Sequence, residues 1–342
     1  MKWWSTVVTR PCPSNCAVLT ADFDYYLPPE LIASEPLPER SASRMLVLHR
    51  DSGEIEHRNF NDFTSYLRPQ DLVVLNDTRV VPARFFPDEG GREVLRLEAI
   101  TPLRWRCMIK PGKKFRVQQQ FHLGAATGTV IEILENGERI IDFDQPVDEA
   151  AHGHLALPHY MGRDDQPSDS ERYQTVFARE EGSIAAPTAG LHFTPELIQQ
   201  LPHAFVTLHV GVGTFQPVKA ETITDHVMHS ERYEIPQITA DAIRDAKRVI
   251  AVGTTATRTL ESVAQANEGR VIAASGSTDI FIYPGYQFQV VGALLTNFHL
   301  PKSTLMMLVS ALAGRDLILK AYAEAIAERY RFYSYGDCML IL

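Results

Sequence analysis

The sequence predicts an α/β or α+β fold that carries an all-β insertion, and two changes of texture along the chain support this. Between residues 60 and 155, short strand-like runs alternate with turn residues, and no long helical pattern appears. From about residue 156 onward, strands alternate with helices. We therefore expect a large domain formed by 21–59 and 156–342, an inserted small β domain at 60–155, and a loose extension at 1–20.

The composition is that of a globular protein. The chain has 342 residues, of which 45% are hydrophobic and 22% are charged. No apolar run approaches the ~20 residues that cross a bilayer, and the start of the chain lacks the apolar core of a secretory signal. Four cysteines in so long a chain fit a reducing cytoplasm better than a disulfide framework. We expect a cytoplasmic monomer without a membrane partner.

The elements expected before residue 156 are short. Two prolines at 28–29 open a short helix, and the apolar run 45–49 followed by turn residues at 51–53 predicts a hairpin. Asn136-Gly137 is a strong hairpin dipeptide within the insertion. The strands expected in the insertion are 72–75, 94–100, 105–109, 128–134 and 139–143.

The elements expected after residue 156 include longer helices. A strand at 249–252 precedes a helix whose apolar face falls within 256–264. The turn residues 283–286 separate two strands. Residues 303–313 are apolar nearly all round and predict a buried helix, and a further amphipathic helix follows at 318–326.

Two stretches of small residues, 183–194 and 207–215, each contain one histidine and predict a substrate pocket. Small side chains let the backbone approach a ligand closely, and histidine moves protons near neutral pH. Alternation over residues 204–218 predicts a strand that places His209 opposite an aliphatic face. For His209, the alternative is a structural role as a buried histidine that is hydrogen-bonded to a backbone carbonyl. For His192, the alternative is a structural role without chemistry, in the capping region of the helix that begins after Thr194.

Two later segments have the character of a binding site. Gly253-Thr254-Thr255 follows a strand and opens a helix, where free N–H groups and the helix dipole favour an anion; a simple threonine N-cap is the alternative. Asn297 and His299 lie just before the buried helix, at a loop end where site residues are common. The sequence contains neither a Walker loop nor a Rossmann fingerprint.

The sequence does not favour a metal site. Cys12 and Cys16 form a lone pair of cysteines, whereas structural zinc takes four ligands. His226, His229 and Glu231 have a spacing that is not well attested for metal ligands.

Positive charge is local on a chain whose net charge is −9. This acidic balance argues against broad, non-specific binding of nucleic acid but allows a basic patch. Basic residues with aromatic neighbours suit a nucleic-acid backbone and splayed bases, although a solvated surface charge is the alternative for each of them. These residues are Arg40, Arg44, Arg79, Arg84, Arg104, Arg106, Lys110, Lys113, Lys114 and Arg116.

Ordered motifs along the chain carry a family resemblance. They are Asp-Phe-Asp-Tyr-Tyr-Leu-Pro (22–28), Asn-Asp-Thr-Arg-Val-Val-Pro-Ala-Arg (76–84), Lys-Pro-Gly-Lys-Lys (110–114), Glu-Arg-Tyr-Gln-Thr-Val-Phe-Ala (171–178), Ala-Ala-Pro-Thr-Ala-Gly-Leu-His-Phe-Thr (185–194), Leu-His-Val-Gly-Val-Gly-Thr-Phe (208–215), Val-Gly-Thr-Thr (252–255), Leu-Thr-Asn-Phe-His-Leu-Pro-Lys-Ser-Thr (295–304) and Tyr-Gly-Asp (335–337). With them the chain resembles the S-adenosylmethionine:tRNA ribosyltransferase-isomerase family of queuosine biosynthesis. Residues 1–20 depart from the family, whose members usually start near Asp22.

The resemblance implies a fold and an activity. The fold is a large, barrel-like α/β domain with an inserted small all-β barrel domain. The enzyme transfers the ribosyl part of S-adenosylmethionine to the 7-aminomethyl-7-deazaguanine at the tRNA wobble position and isomerises it, giving epoxyqueuosine, while adenine and methionine leave. S-adenosylmethionine is then the co-substrate, and neither a metal nor a redox cofactor is expected.

The resemblance also suggests roles for the residues singled out above. His192 and His209 are the leading acid–base candidates, with His299 next, and Thr254 and Thr255 hold the methionine carboxylate. The other substrate-binding candidates are Thr188, Gly190, Gly211, Gly213, Thr214 and Asn297. The tRNA-binding candidates are Arg40, Arg44, Lys110, Lys113 and Lys114.

Two other functions remain open at this point. A methyltransferase that uses S-adenosylmethionine would need a glycine-rich loop after a first strand and an acidic residue ending the second, and the sequence shows no such pair. A non-catalytic tRNA-binding module would have a basic surface without a deep pocket of threonine, glycine and histidine.

Overall fold

The structure is a computed structural model that describes residues 18–211, 213 and 218–342. The expected extension up to residue 17, with Cys12 and Cys16, and the candidate Thr214 lie outside the described residues. The helices are α1 (Glu149–His152), α2 (Asp169–Arg172), α3 (Pro195–Gln199), α4 (Gln237–Asp245), α5 (Gly253–Ala266), α6 (Thr304–Ala313) and α7 (Arg315–Ala327). Short 3-10 helices cover Thr20–Phe23, Pro29–Leu31, Arg40–Ala42, Phe60–Tyr66, Gly112–Lys114, His159–Met161, Thr188–His192 and Ile223–Asp225.

The strands form two large sheets and one small one. In chain order they are β1 (Arg44–His49), β2 (Glu54–Asn59), β3 (Asp71–Asn76), β4 (Thr78–Val80), β5 (Arg84–Phe85), β6 (Glu93–Thr101), β7 (Arg104–Lys110), β8 (Gln120–Leu123), β9 (Ala126–Ile133), β10 (Arg139–Phe143), β11 (Gly153–His154), β12 (Glu180–Ser183), β13 (His203–Leu208), β14 (Glu231–Ile235), β15 (Arg248–Val252), β16 (Ala274–Thr278), β17 (Val291–Asn297) and β18 (Cys338–Ile341). This mixed α/β architecture confirms the expected fold class at that level.

A mixed nine-stranded sheet organises the larger part of the chain, in the order β16-β14-β13-β3-β15-β17-β18-β1-β2. Its strands β13, β3, β15 and β17 run parallel to one another. Their carboxyl ends therefore lie along one edge, where the chain leaves the strands at Leu208, Asn76, Val252 and Asn297. Ligands of open α/β sheets bind outside the carboxyl ends of such strands.

Both faces of the nine-stranded sheet are covered by apolar side chains. In β1, Leu46 and Leu48 contribute to the core shared with α5, α6 and α7, whereas Met45 and Val47 contribute to a second core with Phe60. This is the alternation of a strand whose successive side chains point to opposite faces. The sheet is thus held from both sides, which fixes its carboxyl edge as a rigid support.

A second sheet of seven strands, β11-β5-β6-β7-β10-β9-β8, is antiparallel throughout. It has its own core, which contains Trp105, Phe121 and Phe143. The sheet curls, because the amide of Asp88, just after β5, donates to the carbonyl of His122 in the last strand at 3.0 Å. The turn expected at 136–137 joins β9 to β10.

The strand expected at 72–75 does not belong to this second sheet. β3 lies near the middle of the nine-stranded sheet, between β13 and β15. All six of its residues are buried, as in a parallel strand packed on both faces. The sequence of such a strand shows no alternation of apolar and polar residues that would assign it to one sheet or the other. The expected boundary at residue 60 therefore placed β3 in the wrong sheet. The seven-stranded sheet begins only at Arg84.

Several local expectations are confirmed and others need correction. Thr194 caps α3 by accepting from the amide of Leu197 at 3.3 Å, and α6 is the buried helix expected at 303–313. The strand expected to continue beyond residue 208 ends there instead, because β13 stops at Leu208. The turn at 283–286 lies in a connection longer than a hairpin loop, between β16 and β17.

Candidate active site

A cavity lies at the carboxyl edge of the parallel strands. Its walls come from segments that are far apart in the sequence and that leave neighbouring strands. They are residues 185–189, Val210, 253–255, 296–300, and Tyr333 with Ser334, together with Tyr160 and Leu305. The cavity therefore collects most of the motifs that the sequence marked as candidate site segments.

The floor of the cavity includes the first turn of α5. Gly253 has φ of +85°, a conformation that glycine adopts without strain and that lets β15 turn directly into the helix. The N-cap is Val252, whose side chain cannot cap, so the expected alternative of a threonine N-cap is wrong. Thr254 and Thr255 line the cavity beside the free amides of this turn. The arrangement is suited to an anion.

His299 lines the same cavity and is buried. Burial lowers the pKa of His299 to about 3, so the imidazole is neutral at physiological pH. Its Nε2 lies 2.9 Å from Oγ1 of Thr296. Its backbone amide donates to the hydroxyl of Tyr322 at 2.9 Å, and the hydroxyl of Tyr25 donates to its carbonyl. The ring is thus held in place while facing the cavity.

Asn297 connects the cavity wall to His192. Its Nδ2 donates to the carbonyl of Tyr333 at 2.9 Å, which leaves Oδ1 pointing at Nε2 of His192, 3.3 Å away. Because Oδ1 accepts, Nε2 of His192 carries the proton, and Nδ1 accepts from the hydroxyl of Ser43 at 2.9 Å. All these side chains are buried. The network ties β17 to the segment that contains Tyr333.

His192 lies behind the cavity rather than among its lining residues. Its ring packs against Phe60 at a centroid distance of 5.3 Å. Burial is the largest cause that lowers the pKa of His192 to about 4, and the hydrogen bond to Asn297 acts in the opposite direction. A neutral ring with both nitrogens engaged is placed to position Asn297. The structure does not bring His192 into contact with the cavity.

His209 lies in a different place, a cleft between the two large sheets. The cleft is lined by Glu98 and Arg106 of the seven-stranded sheet and by Glu138 just before β10. Across from them it is lined by His209 and Arg232, among others. Nδ1 of His209 lies 2.9 Å from Oγ1 of Thr78, so its partner is a hydroxyl and not the backbone carbonyl of the alternative interpretation. Burial, and then the charge of Arg232, lower the pKa of His209.

Val210 separates the cavity from the cleft, since it lines both. Its neighbours in space continue this partition, because Ile184 lines the cleft and Ala185 lines the cavity. His209 and His299 therefore stand on two sides of one thin wall. A substrate in the cavity and a second substrate in the cleft would approach each other at this wall.

At the glycines expected to bind substrate, the local packing and hydrogen bonding differ from one position to the next. A Cβ on Gly190 would lie 2.9 Å from the side chains of Phe177 and Thr175, so packing explains this glycine. A Cβ on Gly213 would lie 2.5 Å from the ring of His229. The amide of Gly211 donates to Glu231 at 3.0 Å. Thr188, in contrast, lines the cavity, and its role in binding substrate stays a prediction.

Residues 20–341 match the family described as queuosine biosynthesis protein. The chain belongs to this family. Two relatives named S-adenosylmethionine:tRNA ribosyltransferase-isomerase support the assignment. The protein of Symbiobacterium thermophilum is 52% identical over 341 residues, and that of Desulforamulus reducens is 48% identical over 342 residues. Each match covers 94% of this chain and 99% of the relative.

A solved structure of the family agrees with these matches. The crystal structure of the S-adenosylmethionine tRNA ribosyltransferase from Thermotoga maritima is 39% identical and superimposes with a TM-score of 0.55. It is matched over 94% of this chain and 100% of its own. The family expected from the motifs is confirmed, and so is the enzyme class, a transferase that moves and isomerises a ribosyl group.

Sequence reasoning missed Tyr333 as a candidate site residue. Tyr333 lines the cavity with φ of +73°, and a bulky residue in that region of backbone space is a strained outlier of the kind that gathers at functional sites. Its ring packs on Tyr160 at a centroid distance of 4.5 Å. The nearby Tyr-Gly-Asp motif was the available signal, but it carried no indication of which tyrosine faces the cavity.

The expected tRNA-binding residues fall into two groups. Arg40 donates to the carbonyl of Glu171 at 2.8 Å, and Arg44 donates to that of Glu328 at 2.7 Å. Both arginines therefore connect segments that are distant in the sequence. Lys110, Lys113 and Lys114 are exposed at the end of β7. The lysines are the better candidates for a polyanion.

Over residues 18–211, 213 and 218–342, no group of three or more His, Cys, Asp or Glu side chains is placed to hold a metal ion. Glu231, one of the residues weighed as a metal ligand, forms an ion pair with Arg258. In these same ranges, none of the helices has the length and apolar character needed to cross a bilayer. The monomeric state stays a prediction.

Proposed function

We propose that this chain transfers the ribosyl part of S-adenosylmethionine to the aminomethyl group of the 7-deazaguanine at the tRNA wobble position, and isomerises it to give epoxyqueuosine. Adenine and methionine are the leaving products. The observation that carries the proposal is the cavity at the carboxyl edge of the parallel strands, separated by Val210 from a cleft between the sheets. The cavity suits S-adenosylmethionine, and the cleft suits the incoming tRNA base.

The chemistry assigns tasks to the residues on either side of this wall. The sulfonium acidifies the neighbouring ribose 5′ C–H, so a base removes that proton, and departure of adenine is favoured by an acid at its ring nitrogen. We assign the proton transfers on S-adenosylmethionine to His299, which lines its cavity. His209, in the cleft, takes the proton from the attacking aminomethyl group of the tRNA base. His192 is then a positioning residue that acts through Asn297. Because the sulfonium already supplies the electrophile, S-adenosylmethionine is the only co-substrate that this scheme needs.

The same proposal gives the seven-stranded sheet a role. We take it as the inserted small β-barrel domain, and its lysines at 110, 113 and 114 as contacts for tRNA phosphates. The curl of the sheet and its separate aromatic core support this assignment. The two free cysteines of the described residues, Cys107 and Cys338, are buried, which is consistent with a reducing cytoplasm.

Product analysis tests the proposed function. The protein is mixed with S-adenosylmethionine and tRNA that carries the deazaguanine precursor. Released adenine and methionine in a one-to-one ratio, with epoxyqueuosine in the tRNA, is the expected result. Formation of S-adenosylhomocysteine would instead indicate methyl transfer, and tRNA binding without any product would indicate a binding module.

Replacement of His209 by alanine is expected to lower kcat by about 10²–10⁴-fold, the usual contribution of one acid–base group. The ring is half-buried in the cleft and neutral near pH 7, because burial lowers its pKa. Single-turnover kinetics measure the effect, and His203→Ala, at the start of the same strand β13, is the matched control. Turnover of a folded His209→Ala within a few-fold of the original protein would remove His209 from the mechanism.

Replacement of Lys113 and Lys114 by alanine is expected to raise the KM for tRNA and leave the KM for S-adenosylmethionine unchanged. For each phosphate that a lysine no longer neutralises, the slope of log K against log salt becomes shallower by ~0.7–0.9. Both lysines are exposed, so folding should not suffer. The control is Lys320→Ala, an exposed lysine of α7. An unchanged salt slope would place the tRNA elsewhere.

A further inference from the structure

Arg258 in α5 is a buried cation whose guanidinium is only partly used. Its side chain is 4% exposed, and one terminal nitrogen, Nη1, donates to Glu231 of β14. Within the described part of the chain, Nε and Nη2 have no hydrogen-bond acceptor. Leaving charged donors buried and unpaired is costly. A ligand that offered hydrogen-bond acceptors to Nε and Nη2 would remove this cost, and its binding would be stabilised accordingly.

Thr255 presents a second unused group on the same face of α5. Its Oγ1 is buried and, among the residues described, has no hydrogen-bond partner. Thr255 and Arg258 are three residues apart, a spacing that puts their Cβ atoms about 5–6 Å from each other on a helix surface. Thr255 also lines the main cavity. The two orphan groups are thus near enough to be satisfied by one small anion.

The free edge of Arg258 has the shape of a carboxylate receptor. Nε and Nη2 lie in one plane and donate in parallel, which matches the two oxygens of a carboxylate. The first turn of α5 adds free amides and the positive end of the helix dipole. Leu305 lines both the main cavity and the small cavity that Arg258 lines, so the two spaces are neighbours on either side of this side chain.

We infer that Arg258 and Thr255 bind the carboxylate of the methionine part of S-adenosylmethionine. The adenosyl part then fills the main cavity, and the methionine tail runs along α5 toward Arg258. This inference rests on the proposed function, because it assigns one end of that substrate. A tRNA phosphate is a poorer occupant, since a group on the polymer backbone cannot reach an arginine that is 3% exposed.

Calorimetric binding of two ligands tests the inference. One ligand is S-adenosylmethionine, and the other is its decarboxylated form, which keeps the adenosyl group and the sulfonium but lacks the carboxylate. The variants are Arg258→Lys, which keeps a charge for Glu231 but loses the planar fork, and Thr255→Val, which removes only the hydroxyl. The matched control is Thr257→Val, since the Thr257 hydroxyl already donates to the carbonyl of Gly253 at 3.1 Å.

The expected result is a loss of discrimination between the two ligands. Arg258→Lys should weaken S-adenosylmethionine by about 10–100-fold and Thr255→Val by about 3–10-fold, as expected for hydrogen bonds to a charged group. The affinity for the decarboxylated ligand should change less than about three-fold in both variants, because this ligand has no carboxylate and never forms those hydrogen bonds. Equal weakening of both ligands, or no change in either variant, would overturn the inference. If Arg258→Lys does not fold, Thr255→Val decides by the same criterion.

Failure of the proposed function has a different signature from failure of this inference. Because binding is measured without tRNA and without turnover, the carboxylate contact can be present in a protein that makes no epoxyqueuosine. Selective loss of S-adenosylmethionine binding with no adenine release from the original protein would count against the proposed reaction alone.

Discussion

Replacement of Asn297 by alanine lowers kcat at least ~100-fold and destabilises the fold by roughly 2–5 kcal/mol, because buried partners lose their hydrogen bonds. The amide donates to the carbonyl of Tyr333 at 2.9 Å and accepts from Nε2 of His192 at 3.3 Å, and all three residues are buried. Without it, the Tyr333 segment and β17 are no longer held in register at the cavity wall.

Asn297→Asp separates the packing of this side chain from its hydrogen bonds. Aspartate has the same shape and still accepts from His192, but its second oxygen faces the carbonyl of Tyr333 and repels it while ionised. Activity and stability should therefore be low at pH 7 and recover partly as the pH falls and the carboxyl becomes a donor. Thermal unfolding and single-turnover rates measure both, with Asn267→Ala at the end of α5 as the control. Activity of Asn297→Ala near that of the original protein would contradict the role of this network.

Replacement of Gly336 by alanine is the second change with a large expected effect. An added Cβ would lie 2.4 Å from the carbonyl oxygen of Arg331 and 2.6 Å from the carbonyl carbon of Phe332. Both are backbone atoms, so the loop itself must move, at a cost of about 3 kcal/mol, the upper end of the usual range for overpacking. The same loop carries Tyr333, and the carboxylate of Asp337 anchors it by accepting from the amides of Arg44 and Arg331, each at 2.8 Å.

Denaturant unfolding of Gly336→Ala measures this cost, and the KM for S-adenosylmethionine should rise because Tyr333 shifts. The matched control is Gly112→Ala. There the new Cβ meets only the flexible end of Arg139, with the nearest atom at 3.1 Å, so the stability should change by less than about 1 kcal/mol. Equal stability of the two variants would show that the Tyr333 loop tolerates displacement.

Local patterns in the sequence were sufficient to predict several elements. α6 was expected because its residues are apolar nearly all round, and α5 because an apolar face recurs at helical spacing. The cap at Thr194 followed from a hydroxyl before a proline in the first turn. These features depend on neighbours within one or two turns, which a single sequence contains.

The errors in the fold have a common physical cause. β3 was placed in the insertion because a strand buried on both faces shows no alternation, and only its pairing with β13 and β15 reveals its sheet. Pairing between distant strands is not written into local periodicity. The same limit applies to the end of β13 at Leu208, because the alternation in the sequence gives no sign that the strand ends there.

The candidate site was predicted in its segments but not in its arrangement. Thr188, Thr254, Thr255, Asn297 and His299 meet in one cavity, as the motifs indicated. His192 and His209 have the same sequence character, small neighbours and one histidine, yet one lies behind the cavity and the other in the cleft. No motif marked Arg258, and only the structure shows that two nitrogens of its guanidinium have no acceptor among the described residues.

The most direct test of these assignments is a crystal structure of the protein with bound S-adenosylmethionine. We predict the adenosyl group in the cavity beside His299 and Tyr333, with the carboxylate against Arg258 and Thr255 and the ribose facing Val210. Density for the ligand in the cleft around His209, or anywhere outside the cavity, would contradict the assignment of this cavity as the S-adenosylmethionine site.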